Sequence, residues 1–570
     1  MRDIFFSKNL FMTIVRNDFL KLWKILYPDQ SVKLLDIFLS ELKELKEEVL
    51  KIENTNSLWY KDAVVYSLYV DLFNKDFDGL KDKVQYLKDL GINCLWLLPI
   101  LESPMKDAGF DISDYRQIRS DILGKEGDSS FDDFLKTVRK AGIKVIFDIA
   151  INHTSNQHIW FKKSALPEKN KYTDYYIWSD NDRGYNECRL LFKGMCDSNW
   201  EKYDDNRFYF HRFFEFQPDL NYKNPNVLLD MCRNLMFWIE KGVDGFRADA
   251  IPYLWKEEGT SCENLEKTHV IIKFFRTLIE YLNPSVILLA EACQPPYEVV
   301  KYMGEGDECH AGYHFPLMPQ IFKSIALQSS APIKQVLSKE ITPEIPEMCQ
   351  WFTFLRCHDE LSLEDVYVNE EDRKYIYKNY CHNPEWDFRL GEGISARLSE
   401  LFKFEEDKIL LAFSMIFTLP GTPVIYYGDE FGKPNDEDYY NAQILLTGHN
   451  DTRNRVRGKV NWNELEQKLN NKKSLEYRIF HSLKNMIASR KKNPAFSMGS
   501  MVFVDAPDNI LAFKREYNGN KLFVVYNLGD SAVSIEKLLP EKHDIIYGNF
   551  QNNENSKLIG SHKTIWFKFV

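Results

Sequence analysis

Asp249 follows Arg247 by two residues in the stretch GVDGFRADAIPYL, at the end of an apolar run. Positions two apart on a strand share a face, so a cation and an anion stand side by side there. Other apolar runs end in the same manner. KVIFDIAINH closes on Asp148, Asn152 and His153, VILLAE on Glu291, and WFTFLRCHDE on His358 and Asp359. One polar residue at a strand end is ordinarily a solvated boundary. Three carboxylates, two histidines and an arginine at successive strand ends are a different matter, because together they could split an acetal with retention. That reaction needs one carboxylate to attack and a second carboxyl to give a proton and later take one back. Asp249 suits the attack, since the guanidinium beside it favours the anion. Glu291 follows an apolar strand and faces other carboxylates, so its pKa should rise, as a proton donor requires. Asp359 is left to hold sugar hydroxyls and favour an oxocarbenium-like transition state, while His153 and His358 can donate to hydroxyls or to developing charge.

These residues meet only if the elements bearing them converge. From Trp59 onward short apolar runs alternate with amphipathic helices. Candidate strands cover 63–70, 93–99, 144–151, 243–250, 286–291, a weak 312–315, 351–359 and 423–430. Helical stretches such as GLKDKVQYLKDLG, SFDDFLKTVRKAG, NVLLDMCRNLMFWIEKG and HVIIKFFRTLIEYL precede most of them. Some eight strand–helix alternations predict an α/β fold, a (β/α)8 TIM barrel, whose strand C-termini gather at one mouth. A doubly wound sheet would not need so many units. The gap after the third strand exceeds one helix, so residues 152–220, rich in Tyr, Trp, Asp and Asn, should form an inserted lid over that mouth. Residues 1–56 read as an N-terminal helical segment, with Leu20, Trp23, Leu26 and Tyr27 at helical spacing and ELKELKEEVLKIE amphipathic. Such a segment suits a cap or a contact between copies in a homo-oligomer. Alternating stretches near the end predict a C-terminal antiparallel β domain, drawn as a sandwich over 496–570. The barrel is then shared between 57–151 and 221–495.

Composition narrows the class. The 570 residues are 44% hydrophobic, enough for a large core, and the net charge of -11 argues against a nucleic-acid or anionic-membrane partner. Ten cysteines lack any CxxC or zinc-like spacing, which suits reduced thiols in a cytoplasmic protein. No apolar run reaches membrane-span length, and the N-terminal stretch is broken by Lys8, Arg16, Asp18 and Lys21, with no small-residue cleavage site after it.

In this order at strand ends, DIAINH, GFRADA, LLAEA and CHDE resemble the four signature regions of the α-amylase family of glycoside hydrolases. The resemblance implies that Asp249 is the nucleophile, Glu291 the general acid/base and Asp359 the transition-state stabiliser. QPDLN at 217–221 is similar to a further signature of oligosaccharide-acting members. INHTSNQHIWF, FYFHRFFEFQPDLNYKNP and GTPVIYYGDE, with matches densest over 200–320, resemble the trehalose-synthase branch, which implies interconversion of maltose and trehalose. A hydrolase or a sucrose-acting transglucosylase would use the same triad. The resemblance also suggests Asp107 and Arg457 as a clamp on the nonreducing glucose, with Phe110 stacking on that sugar and Arg247, His153 and His358 around it. Four departures stand out. Cys357 replaces an asparagine, Phe110 a tyrosine, and GKVNW follows Arg457 in place of TPMQW. The fourth concerns metal. The family's calcium is held by residues matching Asn152 and Asp219, by two carbonyls, and by a glutamate whose place holds Lys256. The loop FNKDFDG, often a second metal site, is also short. The reading therefore requires no cofactor and expects weak or no calcium binding, with a lysine ammonium in the cation's place.

Overall fold

The computed structural model describes residues 15–49, 58–551 and 557–570. Eight parallel strands close into a barrel: β1 Val65–Leu68, β2 Cys94–Leu97, β3 Lys144–Ala150, β4 Gly245–Asp249, β5 Ile287–Ala290, β6 Ala311–Tyr313, β7 Gln350–Phe354 and β8 Thr422–Tyr426. Each pairs with the next, and β8 returns to β1. All eight fall on the runs marked in the sequence, including the weak sixth. Buried on both faces, they read as near-continuous apolar stretches, as parallel strands do.

Local chemistry sets the element ends. The helix Pro225–Lys241 begins with Asn224, whose side chain accepts from the Asn226 N–H, and with Pro225 in the first turn. It ends at Gly242, which takes the left-handed φ of 92° and turns the chain into β4. In β4 itself Gly245 is a packing requirement, because a Cβ there would lie 2.7 Å from the Ile287 carbonyl oxygen on β5. The stretch read as one helix, GLKDKVQYLKDLG, forms two short ones, Phe77–Asp82 and Val84–Leu90, divided at Lys83.

The long excursion after β3 is a small unit with a helix at Ile159–Ser164 and a three-stranded antiparallel sheet made of Trp178–Ser179, Trp200–Asp204 and Arg207–Phe210. Its base is closed by two bridges back to the barrel connection, His153 with Asp219 and Tyr176 with Leu220. Phe161 stacks on Trp178 within it, ring centroids 5.3 Å apart.

The helices over 15–26 and Lys33–Val49 pack on the outside of the barrel against Pro225–Lys241 and Glu266–Leu282. Phe19 meets Phe274 at 4.8 Å, and Arg233 Nε donates to Glu41 Oε2 at 2.6 Å. The apolar stripe of this segment is thus covered within the chain. The remainder of the predicted extension, 1–14 and 50–56, lies outside the described residues. At the other end, Ser500–Phe503, Ile510–Tyr517, Asn520–Asn527, His543–Tyr547 and Thr564–Phe569 form a five-stranded antiparallel sheet. Period-two alternation splits its faces. Leu511, Phe513, Leu522, Val524 and Trp566 join the main core, whereas Ile510, Ala512, Phe523, Val525 and Phe567 form a second core under a two-stranded ribbon, Val533–Ser534 with Leu558–Ile559. The second layer of the expected sandwich is therefore only this ribbon. Among the described residues no helix is long and apolar enough to cross a membrane.

Candidate active site

Barrel register brings the charged residues of β3 and β4 together. Asp148 lies opposite Arg247, and Ala150 opposite Asp249. Arg247 Nη1 bonds both carboxylates, reaching Asp249 Oδ1 at 2.7 Å. Its guanidinium packs among the rings of Trp96, Phe110 and Tyr313, 5.2–5.9 Å from their centroids. Trp96 Nε1 donates to the other oxygen of Asp148 at 2.7 Å. Burial pushes Asp148 up to about 7, against the pull of Arg247.

Directly after Asp249 the backbone enters the left-handed region at Ala250, with φ 57°. The turn ends β4 and points the Ala250 N–H at Glu291, which accepts it through Oε2 at 2.9 Å. The other Glu291 oxygen accepts from the Cys293 thiol at 3.1 Å. Burial, with Asp249 adding like charge, raises Glu291 to about 7 although Arg247 and these donors oppose it. This is the raised carboxyl that the sequence predicts at the end of β5.

Asp359 has the opposite environment. Burial works against its charge, but His358, Arg453, Arg457 and Arg247 outweigh that and hold it well below the usual carboxylate range. Arg453 Nη1 donates to Asp359 Oδ1 at 3.0 Å, and His358 Nε2 lies 3.2 Å from Oδ2. Burial lowers His358 to about 3, against the pull of Asp359, and its ring stacks on Phe110 at 5.2 Å with 21° between the planes. Burial also lowers His153. Its Nε2 lies 3.4 Å from Gln217 Nε2, and Gln217 donates to Asp107 Oδ2 at 3.0 Å.

Asp249, Glu291, Asp359, Asp107, Phe110, His153, Arg247 and His358 all line one pocket. Arg457, proposed as the partner of Asp107, does not line it. Its Nε donates to the His358 carbonyl at 3.2 Å and its Nη1 to Asn454 Oδ1 at 3.0 Å, while its Nη2 lies 3.9 Å from Asp359 Oδ1. The partner of Asp107 is Arg453, whose Nη2 reaches Asp107 Oδ1 at 3.2 Å while Asp451 holds the same guanidinium. The resemblance pointed to Arg457 in DTRNRVRG, whereas the alternate spacing of its three arginines gave by itself no ground for choosing among them. GKVNW does not line the pocket, and Tyr427 donates to the Gly458 carbonyl at 2.8 Å.

Leu191, Phe192 and Phe213 of the insertion form the roof of the pocket. Ion pairs fasten that roof to the connection between β7 and β8, with Lys193 bonded to Glu392 at 2.6 Å and to Asp365 at 3.2 Å. Arg389 from the same connection lies over Phe192 at 5.0 Å and pairs with Glu364 at 2.8 Å.

The metal position implied by the resemblance fails a test of fit. Lys256 Nζ lies 2.6 Å from Asn152 Oδ1, 2.9 Å from Asp219 Oδ2 and 3.4 Å from the Leu220 carbonyl. The ammonium sits among the oxygens that a hard cation would need, and its side chain is almost fully buried. Nor are the acids of FNKDFDG open for a metal: Asp76 caps the helix Phe77–Asp82 through the Gly79 N–H, and Asp78 accepts from the Lys125 N–H and pairs with Lys81.

A family model described as the alpha amylase catalytic domain matches residues 54–383. The trehalose synthase/amylase TreS of Mycolicibacterium smegmatis is 38% identical over 506 residues, 81% of this chain and 81% of its own. Trehalose synthase of Thermus thermophilus is also 38% identical, over 83% of this chain and 50% of the relative. In fold, the chain is similar to the crystal structure of the trehalulose synthase MutB from Pseudomonas mesoacidophila, with a TM-score of 0.68 and 24% identity over 91% of this chain and 100% of that one.

Proposed function

This chain belongs to the α-amylase family, and on that premise we propose that it is a retaining glucosyl-transferring isomerase that interconverts maltose and trehalose. The observation that carries the reading is the convergence of Asp249, Glu291 and Asp359 in one pocket roofed by the insertion, in a chain whose relatives include trehalose synthases. Asp249, kept beside Arg247, attacks the anomeric carbon of the nonreducing glucose. Glu291 protonates the glycosidic oxygen, so that bond breaks as the ester to Asp249 forms, with inversion. The freed glucose stays in the pocket, turns, and presents its anomeric hydroxyl. Glu291, now the base, removes that proton as the hydroxyl oxygen attacks the ester carbon and restores Asp249, with a second inversion. Asp359 stabilises the positive charge of both transition states, and Asp107 with Arg453 grips the glucosyl hydroxyls.

Water and glucose compete for the same ester, so the roof decides the product. The Lys193 ion pairs with Glu392 and Asp365, together with the Arg389 guanidinium over Phe192, tie it to the connection after β7, which supports transfer over hydrolysis. Ten unpaired cysteines suit a reducing compartment, and the cytoplasm is the setting we propose. The test is incubation with maltose, trehalose, sucrose or maltotriose and resolution of the products by anomeric NMR. Trehalose from maltose with little free glucose is expected, and glucose alone would overturn the assignment in favour of a hydrolase. Asp249→Asn should abolish turnover of every substrate; near-normal residual activity would remove Asp249 from the nucleophile's role.

A further inference from the structure

Two strips of chain face each other where the insertion meets the barrel. One is 184–189 of the insertion, and the other is 257–263, in the connection after β4. The Tyr185 N–H donates to Glu258 Oε1 at 3.1 Å, and Arg189 Nε to Glu263 Oε1 at 2.9 Å. Between these ties lie two buried cysteines. The Cys188 thiol donates to the Thr260 carbonyl at 3.8 Å, Cys262 Sγ is 3.7 Å from Thr260 Oγ1, and both cysteines belong to the small buried cluster that holds Trp200 and Phe210. We propose that Cys188 and Cys262 are a modification site, a thiol pair that a small peroxide converts reversibly to a disulfide, bolting the pocket roof to the barrel.

The surroundings favour the chemistry. The nucleophile in thiol oxidation is the thiolate, which nearby cations and N–H donors stabilise. Cys262 accepts from the Glu257 N–H at 3.3 Å. The neighbouring Cys188 lowers its pKa most, burial opposes, and Lys256 adds a nearby positive charge. The Cys262 thiolate attacks one peroxide oxygen, forming a sulfenic acid and releasing water after protonation. Cys188 sulfur then attacks Cys262 sulfur, loses its proton, and expels the sulfenic oxygen as a second water. Two thiols lose two electrons and two protons, and one peroxide becomes two waters. A dithiol reverses the step.

The position gives it a consequence. Cys188 is three residues from Leu191, in the pocket roof. A bond from the roof to the barrel would hinder the opening that admits substrate and releases product. The full chain is treated with hydrogen peroxide and analysed by non-reducing peptide mass spectrometry, with maltose consumption followed in parallel. The expected result is a Cys188–Cys262 linked peptide, a fall in turnover of roughly fivefold or more, and recovery of both with dithiothreitol. Cys188→Ser and Cys262→Ser should each turn over maltose when reduced and lose the peroxide response. A missing linked peptide while other cysteines oxidise, a linked peptide without slower turnover, or an unchanged peroxide response in both variants would overturn the proposal. Maltose consumption is read whatever the product, so the outcome stands apart from the choice between isomerase and hydrolase.

Discussion

Replacing Lys256 by methionine keeps the aliphatic stem and removes only the ammonium. In the native chain that ammonium is within 2.6 Å of Asn152 Oδ1 and 2.9 Å of Asp219 Oδ2. Asp219 is fully buried, and its other oxygen accepts from the Arg212 N–H at 3.0 Å. The variant therefore leaves an uncompensated carboxylate where the insertion joins the barrel. Breaking a buried ion pair from one side costs about 3–5 kcal/mol. With an unfolding entropy of about 2.1 cal/mol/K per residue, a chain of 570 residues unfolding as one unit would lose roughly 3–4 °C in Tm. Calorimetry measures this directly. The companion Lys256→Ala opens room among three oxygens, so added calcium should restore part of its Tm while leaving the native protein unmoved. Chelator should likewise leave the native Tm unchanged. The reasoning is refuted if Lys256→Met unfolds within about 1 kcal/mol of the native chain, or if metal analysis finds one tightly held calcium per native chain.

Glu291 must be protonated to act as acid, so kcat/KM should fall as pH rises through about 7, and a profile flat from pH 5 to 9 would remove it from that role. The raised value also bears on folding: this carboxyl's contribution is fully present below the ordinary glutamate range and is lost as pH rises through about 7, a slope that Glu291→Gln should abolish in urea titrations at several pH values. Arg453→Ala leaves buried Asp107 without its cation and should lower kcat/KM roughly 10²–10³-fold or more; Arg457→Ala should lower it less, and the reverse ranking in steady-state kinetics would reinstate Arg457 as the clamp. Phe110→Ala should raise KM for maltose, because a ring in the pocket wall is lost, whereas Phe110→Tyr should stay close to native; equal KM values for all three would show that the ring makes no contact with sugar.

The barrel strands and the carboxyls at their ends were legible in the chain because both are local properties. A parallel strand buried on two faces must be a continuous apolar run, and the polar residue that stops it, whether Asp249, Glu291 or Asp359, marks the mouth. The opposed electrostatics of these groups were legible in part. Arg247 beside Asp249 follows from period two alone, and the raised Glu291 from its apolar strand. The depressed Asp359 owes much to Arg453, which is 94 residues away in sequence, and no spacing rule reaches that far. The same limit applies to the partner of Asp107. Arg453, Arg455 and Arg457 alternate through one short turn, and only the closure that brings it within 3.2 Å of Asp107, 346 residues distant, selects the first. The family resemblance suggested that Lys256 could replace a cation; its contacts with Asn152 and Asp219 required the insertion to fold back through the His153–Asp219 bridge. By itself the sequence determined which residues stand at strand ends, because backbone periodicity and burial are written in neighbouring residues. Only the tertiary structure decided which distant charges face them, because that depends on where a closed barrel and its insertion return the chain.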